Sequence, residues 1–177
     1  MTALFILGSS RSDGETARLA RETARHVEGA EFVDLAALAV GPYDYDYRNR
    51  GDDFLPLAQK MVRARSIVFA SPVYWYSMSA QMKAFFDRLT DLTDPPYKTL
   101  GKSLAGKAMF AVATGGSDEA PESFLRPFAD TAGYFDMRWG GLLYARGADG
   151  PLSDAAARAA QDFARRIEAP PVSTNTP

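Results

Sequence analysis

The sequence has no cysteine and a single histidine, His26. The missing thiols exclude disulfides, thiolate-held metals, iron–sulfur clusters and a cysteine nucleophile. One histidine cannot build a histidine-based metal site, and on the first helix it reads as a surface residue, so no metal ligands are expected. No apolar run nears the ~20 residues that span a bilayer. The stretch Ala3 to Leu7 is apolar but lacks a basic flank and a small-residue cleavage site, so it reads as a strand and not an export signal. The expectation is a cytoplasmic protein with no membrane contact. Net charge is also scarce, at −2. That is too little field to attract nucleic acid, and it argues against a strongly acidic one-electron carrier.

What is present suits one folded unit. The 177 residues are enough for a core without staples. A single domain is expected over 1–168, followed by a Pro- and Thr-rich tail, 169–177, whose composition favours disorder. Apolar runs at Ala3–Leu7, Glu31–Leu35, Ser66–Ala70, Lys107–Ala113 and within Asp136–Tyr144 read as strands. Helical periodicity falls at about Gly14–Glu28, Leu55–Ala64, Ser77–Thr90, between Glu122 and Ala132, and from Ser153 or Asp154 to Glu168. Pro127 is expected in a first helical turn, where its missing N–H costs nothing. Gln81, Lys83, Asp87 and Arg88 read as surface or interface residues. Gly41 to Asp53 and Thr93 to Gly106 read as connections. Five strands alternating with five helices predict an α/β fold, a parallel sheet with helices on both faces.

Ligands in such folds sit beyond the carboxyl ends of the strands, and three loops there carry unusual residues. The first, Gly8 to Thr16, joins a buried strand to a helix N-terminus. Ser9, Ser12, Thr16 and Arg11 can add donors to the free N–H groups at that end, and Gly8 and Gly14 allow unusual backbone conformations and close approach. This is a phosphate cradle, with neither dinucleotide-fingerprint nor P-loop spacing. Glu15 sits awkwardly in it, because its carboxylate must point away from an anion. The second loop, Ser71 to Ser79, places Tyr74, Trp75 and Tyr76 in a row. Three consecutive aromatics cannot all face a core, so a planar ligand or a neighbouring surface is expected against them. The third, Thr114-Gly115-Gly116, ends an apolar strand and exposes backbone N–H groups, or is a plain Gly-Gly turn.

The pattern Gly8-Ser9-x-Arg11-x-x-Gly14-x-Thr16-x-x-Leu19, followed by Ser71-Pro72-Val73-Tyr74-x-x-x-Met78-Ser79-x-Gln81-Met82-Lys83-x-Phe85-x-Asp87-Arg88, resembles the NADPH-dependent FMN reductase family. It is most similar to the branch containing the iron–sulfur flavoproteins, without that branch's cysteines. The resemblance covers residue 3 to about 145. It implies a flavodoxin-like three-layer sandwich with strand order 2-1-3-4-5. It implies bound FMN, NADPH or NADH as co-substrate, and a homodimer or homotetramer. It places the FMN phosphate at Ser9, Arg11, Ser12, Gly14, Glu15 and Thr16. The flavin ring falls against Pro72, Val73, Tyr74 and Trp75, with Thr114, Gly115 and Gly116 nearby. The family usually has Asn where this chain has Glu15. Tyr43, Tyr45 and Tyr47 stand where the iron–sulfur branch has cysteines, and they cannot hold a cluster. They either wall the flavin pocket of the same or a neighbouring subunit, or fold onto the surface.

The activity implied is transfer of reducing equivalents from a nicotinamide cofactor, through FMN, to a quinone, free flavin or other small acceptor. No catalytic side chain is required, because the cofactor carries the hydride chemistry. A flavodoxin-type electron carrier and a non-catalytic flavin-binding module remain as alternatives.

Overall fold

The structure is a computed structural model that describes residues 3–147 and 150–169. The expected disordered tail therefore falls, Ala169 apart, outside the described residues. The strands are β1 (Ala3–Leu7), β2 (Glu31–Asp34), β3 (Ser66–Ala70), β4 (Ala108–Gly115) and β5 (Arg138–Arg146). They form one parallel sheet in the order β2-β1-β3-β4-β5. The helices are α1 (Glu15–Arg25), α2 (Phe54–Arg63), α3 (Ala80–Arg88), α4 (Lys98–Lys102), α5 (Glu122–Tyr134) and α6 (Asp154–Glu168). This is the flavodoxin-like fold.

The central strands read as unbroken apolar runs because both of their faces are covered. Alternate residues divide between two cores. Leu4, Ile6, Ile67, Phe69, Met109 and Ala111 pack with Phe54, Phe85 and Phe128 from α2, α3 and α5. Phe5, Leu7, Val68, Phe110 and Val112 pack with Leu19 and Phe163 from α1 and α6. The period of two in the strands thus assigns each helix to a layer.

Several expectations needed correction. Among the described residues there are six α-helices, not five, because the connection after α3 folds into a 3-10 turn (Leu89–Leu92) and the short α4. Helix α3 starts at Ala80, since Ser79 caps it by accepting from Met82 N. Pro127 lies well inside α5, whose N-cap is Pro121. An interior proline costs ~3 kcal/mol. Phe124 and Phe128 flank it and are fully buried, each contributing about 1.5–3 kcal/mol, which holds the helix together across the break.

Arg88 is not at the surface: it is 1% exposed. Its guanidinium donates to Asp91 Oδ2 at 2.7 Å and Asp52 Oδ2 at 2.5 Å, and to the carbonyls of Gly41 and Asn49. It also lies 4.7 Å from the centroid of the Phe54 ring. One side chain thereby fixes both ends of the 41–53 loop against the α3 layer.

Candidate functional site

The three loops meet beyond the carboxyl ends of β1, β3 and β4, and short-range chemistry locks them together. The buried Ser79 hydroxyl donates to Gly8 O at 2.7 Å, and Ser79 N donates to Ser71 Oγ at 2.9 Å. Val73 N donates to Thr114 O at 2.8 Å, extending the β3–β4 ladder past the strand. The Tyr74 and Ser10 hydroxyls lie 3.0 Å apart. The buried hydroxyls of Thr16 and Thr114 share a 2.6 Å hydrogen bond.

Gly8 serves packing and not an unusual backbone conformation. A Cβ there would lie 2.8 Å from Met82 Cβ and 2.9 Å from its backbone. Gly8→Ala should therefore lower stability by about 1–3 kcal/mol, the range for overpacking, as read by urea denaturation. Unchanged stability would mean that α3 moves away freely. Gly14 likewise keeps an ordinary φ of −68°, so it is not there for a left-handed conformation.

Gly14 is the N-cap of α1, and no side chain caps this end. The first-turn N–H groups and the positive end of the helix dipole are left for an anion. Ser9 is buried, and its hydroxyl accepts from Arg11 N at 3.2 Å. Arg11 is largely exposed and only loosely paired with Asp13 at 3.4 Å. One proton of the Thr16–Thr114 pair lies in their shared bond, which leaves one O–H for a ligand.

Glu15 also lines this cavity, and its carboxylate turns toward the backbone after β5. A Cβ on Gly147 would meet Glu15 Oε2 at 2.5 Å. At the other end, Gly116 has nothing within 4 Å of where a Cβ would stand, whereas a Cβ on Gly115 would meet Tyr144 Oη at 2.8 Å. Tyr144 donates to Ser117 O at 2.8 Å and so fixes the third loop. Burial pushes its phenol up from the ordinary tyrosine range, which keeps that donor protonated.

The resulting cavity is about 380 Å³ and is lined by Ser9, Arg11, Gly14, Glu15, Thr16, Pro72, Val73, Tyr74, Thr114, Gly115, Gly116 and Gly147. Two residues expected here are elsewhere. Ser12 is exposed and does not line the cavity. Trp75 is 93% exposed and borders a smaller neighbouring cavity. The reason is the turn that carries it. Tyr74 and Ser77 exchange backbone hydrogen bonds, and the two residues between them, Trp75 and Tyr76, have φ of 47° and 65°.

This is the arrangement of a type I′ turn, where Asn and Gly are usual. Each L-residue there costs roughly 1–2 kcal/mol. Tyr76→Gly should thus raise the melting temperature, by an amount corresponding to about 1 kcal/mol. A fall would show that the Tyr76 ring contributes more than its backbone costs.

Sequence reading missed Gly147, although it follows the carboxyl end of β5, where the same topological rule applies. It also missed Tyr144. Tyr43, Tyr45 and Tyr47 line no part of the 380 Å³ cavity. Tyr43 and Tyr45 pack edge to face at 5.1 Å, and Tyr47 stacks under Arg50 at 3.4 Å. Asp44 is held below the usual carboxylate range, chiefly by its hydrogen bond from Arg48. The rings are thus folded onto their own loop and do not wall this chain's cavity.

The helix N-terminus of α1 and the Pro72–Tyr74 segment border one cavity. Residues 1–137 match the model of the NADPH-dependent FMN reductases. This chain belongs to that family. Among relatives of this FMN reductase-family protein is YwqN of Bacillus subtilis, named for NAD(P)H-dependent FMN-containing oxidoreductase activity. The two are 27% identical over 125 residues, which is 67% of this chain and 68% of YwqN.

Another relative is the iron–sulfur flavoprotein MJ1083 of Methanocaldococcus jannaschii. It is 34% identical over 128 residues, 66% of this chain and 63% of MJ1083. The family member described here has no cysteine with which to hold such a cluster. The fold is shared with a solved structure of the Trp repressor binding protein from Bacillus subtilis. That similarity has a TM-score of 0.73 at 23% identity and covers 92% of this chain and 98% of the other. No helix among the described residues is long and apolar enough to cross a membrane.

Proposed function

We propose that this protein is an FMN-dependent NAD(P)H oxidoreductase that passes reducing equivalents to a quinone, free flavin or other small acceptor. The observation that carries the reading is the larger cavity at the β1, β3 and β4 ends. It joins an uncapped helix N-terminus to a stiff apolar wall, and its volume of about 380 Å³ lies in the range of small-molecule sites. The residues present fit FMN. The first-turn N–H groups of α1, the Ser9 and Thr16 hydroxyls and Arg11 would hold the phosphate. Pro72, Val73 and Tyr74 would lie against the flavin ring and keep water from that side.

FMN, when bound, supplies the hydride and electron chemistry. The chain supplies binding, orientation and fixed dipoles. The open backbone at Gly116, braced through the neighbouring Ser117 carbonyl by Tyr144, offers a donor to the polar edge of the ring. Fixed donors of this kind favour the form that carries extra negative charge. No side chain is needed to move a proton in the hydride step. The proposal includes a homodimer or homotetramer in solution, which sedimentation equilibrium tests.

The deciding experiment loads the purified protein with FMN and mixes it anaerobically with NADPH, then with NADH. Loss of the oxidised flavin absorbance with either nucleotide is expected, and the two rates establish the preferred donor. If neither bleaches the flavin, the oxidoreductase reading is wrong.

A further inference from the structure

Three side-chain hydrogen bonds among the described residues tie the first loop and the start of α1 to the other two loops. Two of them are buried: the Ser79 hydroxyl on Gly8 O, and the Thr16–Thr114 pair. The third is exposed, where the Ser10 and Tyr74 hydroxyls meet 3.0 Å apart. We propose that this pair is a latch on the cofactor cavity, with Ser10 as the positioning residue that holds the Tyr74 phenol. The latch is closed in the empty and in the loaded protein and opens to let FMN pass. It therefore sets the rate of cofactor exchange and not the affinity. This rests on the FMN-binding part of the reading above, and not on turnover.

The first support is placement. Ser9 and Arg11 line the cavity from one loop and Tyr74 from another, whereas Ser10 lines none of it. The Arg11 N–H donates to Ser9 Oγ at 3.2 Å, which closes a turn around Ser10. Ser10 is left exposed at the tip of that turn. Its bond to Tyr74 thus joins the two walls at their rim. An occupant that touches both walls lies beneath this bond.

The second support is what can move. The main chain on both sides of the Tyr74 ring is fixed. Val73 N donates to Thr114 O at 2.8 Å, Tyr74 N donates to Ser77 O at 2.9 Å, and Ser77 N donates back to Tyr74 O at 3.1 Å. The phenol itself is 45% exposed, so its side-chain torsions can turn it outward while the backbone stays in place. Exposed side chains make such rotamer changes quickly. Neither hydroxyl has a second hydrogen-bond partner among the described residues.

The third support is the contrast with the buried ties. Separating Thr16 from Thr114, or Ser79 from Gly8, leaves buried polar groups without a partner, which is costly. The Ser10 and Tyr74 hydroxyls exchange their bond for bonds to water at small net cost. The buried ties hold the loops together, and the rim pair is the one that gives way first.

The test reads FMN binding itself, by stopped-flow flavin fluorescence on the apoprotein and by dilution of the loaded protein. Ser10→Ala removes one hydroxyl and no part of the cavity lining. Tyr74→Phe removes the other and keeps the ring. Each should raise the association and dissociation rates by the same factor, about three- to tenfold, the net effect of one hydrogen bond. The ratio of the two rates should stay within about twofold of wild type in Ser10→Ala. A variant carrying both changes should be no faster than either alone, because both open the same bond.

Unchanged rates in Ser10→Ala would overturn the proposal, by showing the pair to be a surface contact with no hold on the cavity. Faster release with unchanged association would also overturn it, by making the bond a property of the loaded state alone. So would rates in the double variant that multiply those of the single ones. Failure of the wider reading would look different, as wild-type protein that takes up no FMN.

Discussion

Replacing Arg88 with alanine should remove about 3–5 kcal/mol of folding stability, the range for breaking a buried charge pair. The guanidinium is 1% exposed and lies between Asp52 and Asp91. Without it, both carboxylates and the Gly41 and Asn49 carbonyls lose their common donor. Arg88→Lys should recover only part of the loss, because an ammonium group cannot reproduce the fork of donors.

The effect should also depend on pH. Burial raises the Asp52 pKa, but hydrogen bonds from Arg88 and from the backbone N–H groups of Phe54 and Gly41 outweigh it, so the net shift is downward. A depressed folded-state pKa contributes stability above the unfolded carboxylate pKa, and that contribution is lost as pH falls through the folded value. In Arg88→Ala the burial effect on Asp52 has less to oppose it, so the variant's deficit should narrow toward acid pH. Urea denaturation at neutral pH and near pH 4 measures both effects. A deficit below about 1 kcal/mol at neutral pH would show that the 41–53 loop contributes little to the fold.

Glu15→Gln should strengthen FMN binding by about 1–2 kcal/mol, or roughly five- to thirtyfold. Glu15 lines the cavity at the same helix end that would hold the phosphate. A carboxylate repels a phosphate held at the same helix end, and glutamine removes the charge while keeping the shape. The apoprotein should respond in the opposite sense, losing about 0.3–1 kcal/mol, because an acid in the first turn of α1 complements the helix dipole. The gain in affinity should shrink in high salt. Fluorescence titration of apoprotein with FMN, together with a melting curve, separates the two effects. If affinity falls in Glu15→Gln, the carboxylate is a ligand contact and not a neighbouring charge.

These two residues mark where the sequence was readable and where it was not. The apolar runs from Ala3 to Leu7 and from Ser66 to Ala70 announced buried parallel strands, because period and composition are local properties. The Ser- and Gly-rich loop before α1 and the Pro72–Tyr74 segment were legible for a related reason: each follows such a run at its carboxyl end. Arg88 was not legible. Its charged neighbours suggested a solvent face, and its partners Asp52 and Gly41 lie 36 and 47 positions away.

The placement of Trp75 was hidden by its backbone. Nothing in Tyr-Trp-Tyr signals a turn normally made by Asn or Gly, so the motif alone does not show that Trp75 borders the smaller neighbouring cavity. Ser71 and Ser79 belong to a motif, but their role as clamps between loops depends on distances that no spacing rule supplies. Pro127 was misplaced because the two phenylalanines that secure its helix act through the tertiary core.

The hydrogen bond between Thr16 and Thr114 has a consequence for cooperativity. It links the loop assigned to the phosphate with the loop assigned to the ring, so ordering one half of the site should bias the other. Two fragments of the cofactor, inorganic phosphate and lumiflavin, should then bind with positive linkage, each raising the affinity of the other by the same factor. Converting Thr114 alone to valine would remove that link while keeping the Thr16 hydroxyl for the phosphate.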